Sequence, residues 1–175
     1  MCAHAPLLLA DAVLADDVAR LAGCLMARGL TLATAESCTG GLIAATFTSM
    51  PGSSGWFVGG VVAYANSVKQ GVLGVDAATL ARHGAVSEAV VRAMALGACR
   101  ALRADVAVSV SGVAGPGGGT LEKPVGLVWL GFARVDATGT ATVDARCCHF
   151  SGAREAVRAQ SVCEAVRGLL RLTAR

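Results

Sequence analysis

The sequence predicts a mixed α/β fold: a five-stranded sheet in the order 2-1-3-4-5, with strand four antiparallel to the others. Three observations lead there. The first three strand-like segments are separated by helical stretches, the pattern of strands reached by helical crossovers. The last two are separated only by Asp136-Ala137-Thr138-Gly139, a hairpin turn, so one strand must reverse. Right-handed crossovers then carry the chain from strand one outward to strand two and back past one to strand three.

Each element has its own warrant. Residues 11–29 place Val13, Leu14, Val18, Leu21, Ala22, Cys24, Leu25 and Met26 at helical spacing, closed by Gly29. Residues 31–35 form a compact strand signal, and 40–50 a second helix stopped by Pro51-Gly52-Ser53-Ser54. Residues 57–64 are rich in Val and aromatics and predict strand two; Asn66 is the expected N-cap of a short helix to Leu73, ended by Gly74. Ser87 caps a longer helix to about Leu102, with Glu88 in its first turn and Arg100 near its end, both signs suiting the helix dipole. Residues 105–111 alternate Val with small residues as a buried strand. The run from Ser111 to Thr120 is a loop, because its glycines lose too much backbone entropy in a regular element and Pro116 lacks a donor. Residues 125–135 and 140–150 are strand-like, and Ser151 is expected to cap a final helix to about Leu172.

Composition bounds the class. A chain of 175 residues fits one core, and no internal repeat or linker divides it, so residues 1–175 are expected to form one domain. Hydrophobic residues make up 54% and the mean hydropathy is +0.61, yet no apolar run approaches the roughly 18 residues of a spanning helix, so a soluble protein is expected. Much of that apolarity is Ala, and only 4% of residues are aromatic, which predicts an aliphatic core. The net charge of +3 is spread over scattered arginines with no basic block, so neither nucleic acid nor membrane is an expected partner. The Leu7-Leu8-Leu9 run has no basic flank and is followed by Asp11, Asp16 and Asp17, which does not read as a signal peptide. The seven cysteines, Cys2, Cys24, Cys38, Cys99, Cys147, Cys148 and Cys163, are odd in number and show no C-x-x-C spacing, as in a reduced cytoplasmic protein. His83 and His149 lack a clustered partner set, so no metal is expected.

In such a sheet the crevice opens where the strand order turns back, between the carboxyl ends of strands one and three. Those ends carry Glu36-Ser37-Cys38-Thr39 and the glycine loop from Ser111. Ser37, Cys38 or Thr39 would cap the helix beginning near Gly40 in the plainest reading. The paired glycines also let a ligand approach the backbone, and helix-terminal N–H groups would face a developing oxyanion, which gives Ser37 a role as nucleophile. A serine needs a base. His83 lies in a Gly84-flanked loop and His149 inside a strand, whereas strand two delivers Tyr64 and Lys69 to the crevice. With Asn66 as N-cap, Lys69 falls in the first helical turn, where the positive helix end lowers its pKa; the alternative is a solvated surface lysine. Arg154 sits at the start of the helix after Ser151, a position easier to understand with a bound anion such as phosphate, and the loop from Gly112 to Gly119 offers successive backbone donors. Lys123-Pro124 either adds a cation or sets the start of strand four. Cys38 is the rival nucleophile. Ser37 ranks first, because adjacent side chains of such a turn cannot both enter the crevice and a small buried Cys is the ordinary expectation.

The chain resembles the CinA C-terminal family, the PncC-type nicotinamide mononucleotide deamidases, from about Ala19 to Leu170. The resemblance rests on Thr34-Ala35-Glu36-Ser37-Cys38-Thr39-Gly40-Gly41, Pro51-Gly52-Ser53-Ser54, Tyr64-x-Asn66-x-x-Lys69, Leu73-Gly74-Val75, His83-Gly84-Ala85-Val86-Ser87, Ser111-Gly112-Val113-Ala114-Gly115-Pro116 with Gly118-Gly119, Lys123-Pro124-Val125-Gly126 and Phe150-Ser151-Gly152-x-Arg154. It implies a three-layer α/β/α sandwich and hydrolysis of the nicotinamide mononucleotide carboxamide to nicotinate mononucleotide and ammonia, recycling pyridine nucleotide without metal or redox cofactor. The alternative is a nucleotide-binding regulatory module of the competence-damage type. By resemblance Ser37 is the nucleophile, activated by Lys69 and Tyr64, with Arg154 serving the phosphate or the site geometry. Glu36, Cys38, Thr39, Gly40, Gly41, Asn66, Ser111, Gly112, Ala114 and Gly115 complete the expected substrate-binding set, with Glu36 anchoring the loop. Relatives also suggest a homodimer. The lysine motif often reads Y-S-N-E-x-K, where this chain has Ala65 and Ser67. Longer relatives carry an N-terminal pyrophosphatase-like domain that this chain is expected to lack.

Overall fold

Five strands hydrogen-bond in the expected order: β1 (Leu32–Glu36), β2 (Phe57–Val62), β3 (Val106–Gly112), β4 (Leu127–Val135) and β5 (Ala141–His149) lie as β2-β1-β3-β4-β5. β1 runs parallel to β2 and β3, and β4 is antiparallel to both its neighbours. The computed structural model describes residues 11–174. Residues 1–10, with Cys2 and the leader reading, and Arg175 lie outside them.

Alternation along the strands sorts side chains onto two unlike faces. On β1 and β3 the larger residues Leu32, Val106, Val108 and Val110 face helices α1 (Ala12–Arg28), α2 (Leu42–Thr48) and α6 (Arg154–Thr173). The opposite face presents Ala33, Ala35, Ala107 and Ala133 to α5 (Glu88–Leu102), beside Leu73, Val75 and Leu80. Small side chains let α5 settle close to the sheet, so the abundant alanine has a packing role there. Gly131 of β4 sits under α5, and Ser109 Oγ donates to Val91 O (2.6 Å) across the same contact. Among the described residues no helix is long and apolar enough to cross a membrane.

Several boundaries differ from expectation for local reasons. Strand one begins at Leu32 because Thr31 is held instead by Asp105, whose Oδ2 accepts from the Thr31 amide (2.8 Å) and hydroxyl (2.7 Å). α2 starts only at Leu42, since Gly40 and Gly41 both adopt left-handed φ (61° and 94°), outside the helical region. Asn66 is the first residue of α3 (Asn66–Gly71) rather than its cap; Ala65 precedes it without a side-chain bond. An unexpected helix, α4 (Ala77–His83), starts on Asp76, whose carboxylate accepts from the Thr79 amide, and it places His83 at a helix end and not in a loop. Ser111 and Gly112 belong to β3. Ser151 does not cap α6, which follows Ala153; the Ser151 carbonyl accepts from Gln160 Nε2.

Gly131→Ala tests the close approach of α5. A Cβ there would lie 2.4 Å from Val91 O and 2.7 Å from Ser109 Oγ. Overpacking against backbone should destabilise the protein by about 3 kcal/mol, read as a lowered midpoint in urea unfolding.

Candidate active site

The site is built at the carboxyl end of β1. Glu36, the last residue of that strand, is 1% exposed, and its carboxylate points into the start of α2. Oε2 accepts from Thr39 Oγ1 (2.6 Å), Gly41 N (3.0 Å) and Ile43 N (3.0 Å), and Oε1 accepts from Ala44 N (2.8 Å). Glu36 therefore does the work of an N-cap from outside the helix, because Gly41 has no side chain to do it. This corrects the expected oxyanion site: the α2 amides of Gly41, Ile43 and Ala44 are already occupied. The amides of Cys38 and Thr39, immediately after Ser37, make no hydrogen bond to another described residue.

Ser37 is half-buried, with its amide bonded to Val110 O of β3 (3.0 Å). Its hydroxyl meets Lys69. The path of the lysine follows from the backbone: Ala63 N donates to Glu36 O (2.7 Å), which ties the chain after β2 to the end of β1, and α3 then turns Lys69 back over that segment. Lys69 Nζ lies 2.7 Å from Ala63 O, 3.1 Å from Tyr64 O and 3.2 Å from Ser37 Oγ. The residue is 1% exposed, and no carboxylate of the described residues bonds its amine. Burial lowers its pKa below the ordinary value, while the Cys38 thiol acts weakly the other way. The cause is desolvation rather than the helix end expected from the sequence. A neutral amine has two N–H groups and one lone pair, which matches two carbonyl acceptors and one hydroxyl donor.

The remaining expected residues divide. Cys38 is buried, with its thiol pushed up to about 11 mainly by burial, so it is not held as a thiolate. Tyr64 meets Lys69 through its carbonyl, and its ring is 62% exposed. The Asn66 side chain makes no hydrogen bond with the Ser37–Lys69 pair. Ser111, Ala114 and Gly115 are buried and Gly112 half-buried where β3 runs into the glycine loop. Arg154 Nη1 donates to Gly115 O (3.0 Å), joining that loop to α6. Lys123 Nζ donates to His83 O (2.7 Å), pinning the other side of the loop to the end of α4. Sequence reasoning missed Arg158, whose Nη2 donates to Thr39 O (2.7 Å); its place four residues after Arg154, on the same helix face, was the available signal. Among the described residues no group of three His, Cys, Asp or Glu could hold a metal ion.

The model of the CinA C-terminal domain matches residues 15–173. The nicotinamide-nucleotide amidohydrolase PncC of Escherichia coli strain K12 is 54% identical over 145 residues, 83% of this chain and 86% of that protein. The protein of the same name from Enterobacter agglomerans is 52% identical over 147 residues, covering 84% and 87%. Among solved structures, a competence-damaged protein (CinA) superfamily member from Klebsiella pneumoniae 700603 superposes with a TM-score of 0.82 at 40% identity, covering 91% of this chain and 96% of that one. The competence/damage-inducible protein CihA from Agrobacterium tumefaciens gives 0.78 at 41% identity, covering 89% and 95%.

Glu36→Gln should disturb both the turn and α2. The amide would turn an N–H₂ group toward backbone donors and leave at least one of them unmatched inside the protein, costing about 3 kcal/mol by chemical denaturation. Faster amide exchange at Ile43 and Ala44 would locate the damage.

Proposed function

This chain belongs to the CinA C-terminal domain family, and on that footing we propose that it hydrolyses the carboxamide of nicotinamide mononucleotide, with Ser37 as nucleophile and Lys69 as its base. The observation that carries the reading is the 3.2 Å approach of Lys69 Nζ to Ser37 Oγ by an amine whose burial favours the neutral form. Ser37 Oγ attacks the carboxamide carbon as its proton passes to Lys69. The tetrahedral oxygen faces the amides of Cys38 and Thr39, the two donors of the turn left open by Glu36. Lys69 returns the proton to the departing ammonia. Water then attacks the ester on Ser37, giving its proton to Lys69, and nicotinate mononucleotide leaves with the serine restored. Tyr64 contributes the carbonyl that orients the amine. Arg154 and the glycine loop receive the phosphate.

We treat residues 1–175 as one amidohydrolase domain, a reading supported by the family match over residues 15–173. A reducing, cytoplasmic setting fits the six described cysteines, all free. The exposed Val58, Val62 and Tyr64 along the β2 edge support a homodimer.

Ammonia release from nicotinamide mononucleotide by the purified protein tests the reading, and Ser37→Ala should lower it by at least about 10³-fold. Binding of the mononucleotide by the wild-type protein without turnover would make the chain a regulatory module instead. Activity surviving in Ser37→Ala would remove Ser37 as nucleophile.

A further inference from the structure

We propose that Arg158 is a positioning residue for the nucleophile turn: it holds the Thr39–Gly40 peptide, and through that peptide the backbone of Ser37. The proposal rests on the catalytic reading of Ser37 given above.

Three contacts make the chain of cause. Arg158 Nη2 donates to Thr39 O at 2.7 Å. The N–H of the same peptide unit, on Gly40, donates to Ser37 O at 3.1 Å. A peptide is planar, so a guanidinium that fixes its oxygen also fixes the direction of its N–H, and here that N–H grips the residue carrying the nucleophile. On the other side of the turn the Thr39 hydroxyl donates to Glu36. Thr39, wholly buried, is thus clamped between a carboxylate taking its hydroxyl and a guanidinium donating to its carbonyl.

The turn needs such a clamp because Gly40 and Gly41, both at positive φ, are the residues with the most conformational freedom to lose. Glu36 reaches the helix side of the turn, at Gly41, Ile43 and Ala44, but makes no bond to the Thr39–Gly40 peptide. The Leu42 amide at the start of α2 touches the Thr39 carbonyl only at 3.4 Å, and among the described residues Arg158, at 2.7 Å, is the one side chain that donates to it. The same side chain keeps its Nε buried with no partner among the described residues, an unfavourable burial that the structure retains at this position. One helical turn earlier, Arg154 grips Gly115 O of the glycine loop. The first turns of α6 therefore hold both loops that border the crevice, Arg154 on the binding side and Arg158 on the reacting side.

The test compares wild type, Arg158→Met, which keeps an apolar stem, and Arg158→Lys, which restores a donor. Two readouts are measured: steady-state hydrolysis of nicotinamide mononucleotide, and the labelling rate of Ser37 by a fluorophosphonate, which needs an activated serine and no nucleotide. Displacement of a reacting group by about 1 Å costs up to about 100-fold, so Arg158→Met should lose about 10- to 100-fold in both kcat and labelling rate. KM should move less than about 3-fold, and Arg158→Lys should recover part of the loss. A folded Arg158→Met that labels at the wild-type rate overturns the proposal, as does a defect confined to KM, which would make Arg158 a phosphate ligand. If wild type is labelled but releases no ammonia, and Arg158→Met slows the labelling, the substrate reading fails while the positioning role stands. A wild-type protein inert in both assays overturns both. If Arg158→Met does not fold, Arg158→Lys alone decides: a folded variant with an unchanged thermal midpoint that labels more slowly than wild type with KM unmoved supports the proposal, and a defect confined to KM overturns it.

Discussion

A buried lysine amine held by two carbonyls and a hydroxyl, with no carboxylate of the described residues against it, is the constraint around which the crevice is organised. Elsewhere this protein pairs cations with acids in the usual way, as in Arg92–Glu88 and Arg146–Glu164, exposed contacts worth only about 0–1 kcal/mol each. At the crevice the rule changes. Lys69, Arg154, Arg158 and Lys123 all donate to backbone carbonyls. A carbonyl satisfies an N–H without neutralising the charge, so Arg154 and Arg158 keep their positive charge beside the two loops they hold. For Lys69 the consequence differs, because burial acts on it directly: with no carboxylate among the described residues to hold the proton, burial lowers its pKa, which is what the proposed role as a base needs. An acid among the acceptors would instead favour the ammonium.

That arrangement depends on how the sheet ends. The paired registers of β1 with β2 and β3 bring Glu36, Val62 and Val110 level, so the chain leaves β1 between two neighbours that supply Ala63 N and Val110 O as partners. Glu36 then takes the helix terminus, which a purely topological view would have left for the ligand. The anion-binding tendency of a helix start is thus used internally, to hold the turn, and the amides without a partner among the described residues lie two residues back, toward Ser37. The thin Ala-rich face beneath α5 and the thicker face beneath α1 and α6 bring helices to both sides of this point. From one side comes α6 with its two arginines; the other is lined by the α3–α5 layer that carries Lys69.

Much of this was legible in the residues. Strand order follows from crossover handedness and one hairpin turn, and the same topology brings Ser37 and Lys69 to one crevice. What escaped shares a physical character: it depended on tertiary contact rather than local pattern. Asn66 looked like a cap because its side chain suits one, but a cap needs a particular backbone conformation that Ala65 adopts instead. Ser151 misled in the same way. Glu36 could not be seen as the cap of α2, since its bonds to Ile43 and Ala44 span 7 and 8 residues and exist only after the turn folds back. α4 was missed despite a local signal, Asp76 before an Ala-rich run ended by Gly84. Arg158 offered only its spacing from Arg154 on one helix face, and its contact with Thr39 O spans 119 residues.

The protonation state of Lys69 tests the central claim most directly. Titration followed by the NMR shift of its labelled Nζ should show the proton leaving below the ordinary 10.5. In the proposed mechanism the neutral amine is the active form, so hydrolysis should rise with pH through that same value. Between the lowered value and 10.5 the unfolded chain binds the extra proton, so stability should also rise with pH across that window. An ammonium that persists to 10.5 or beyond would contradict the account.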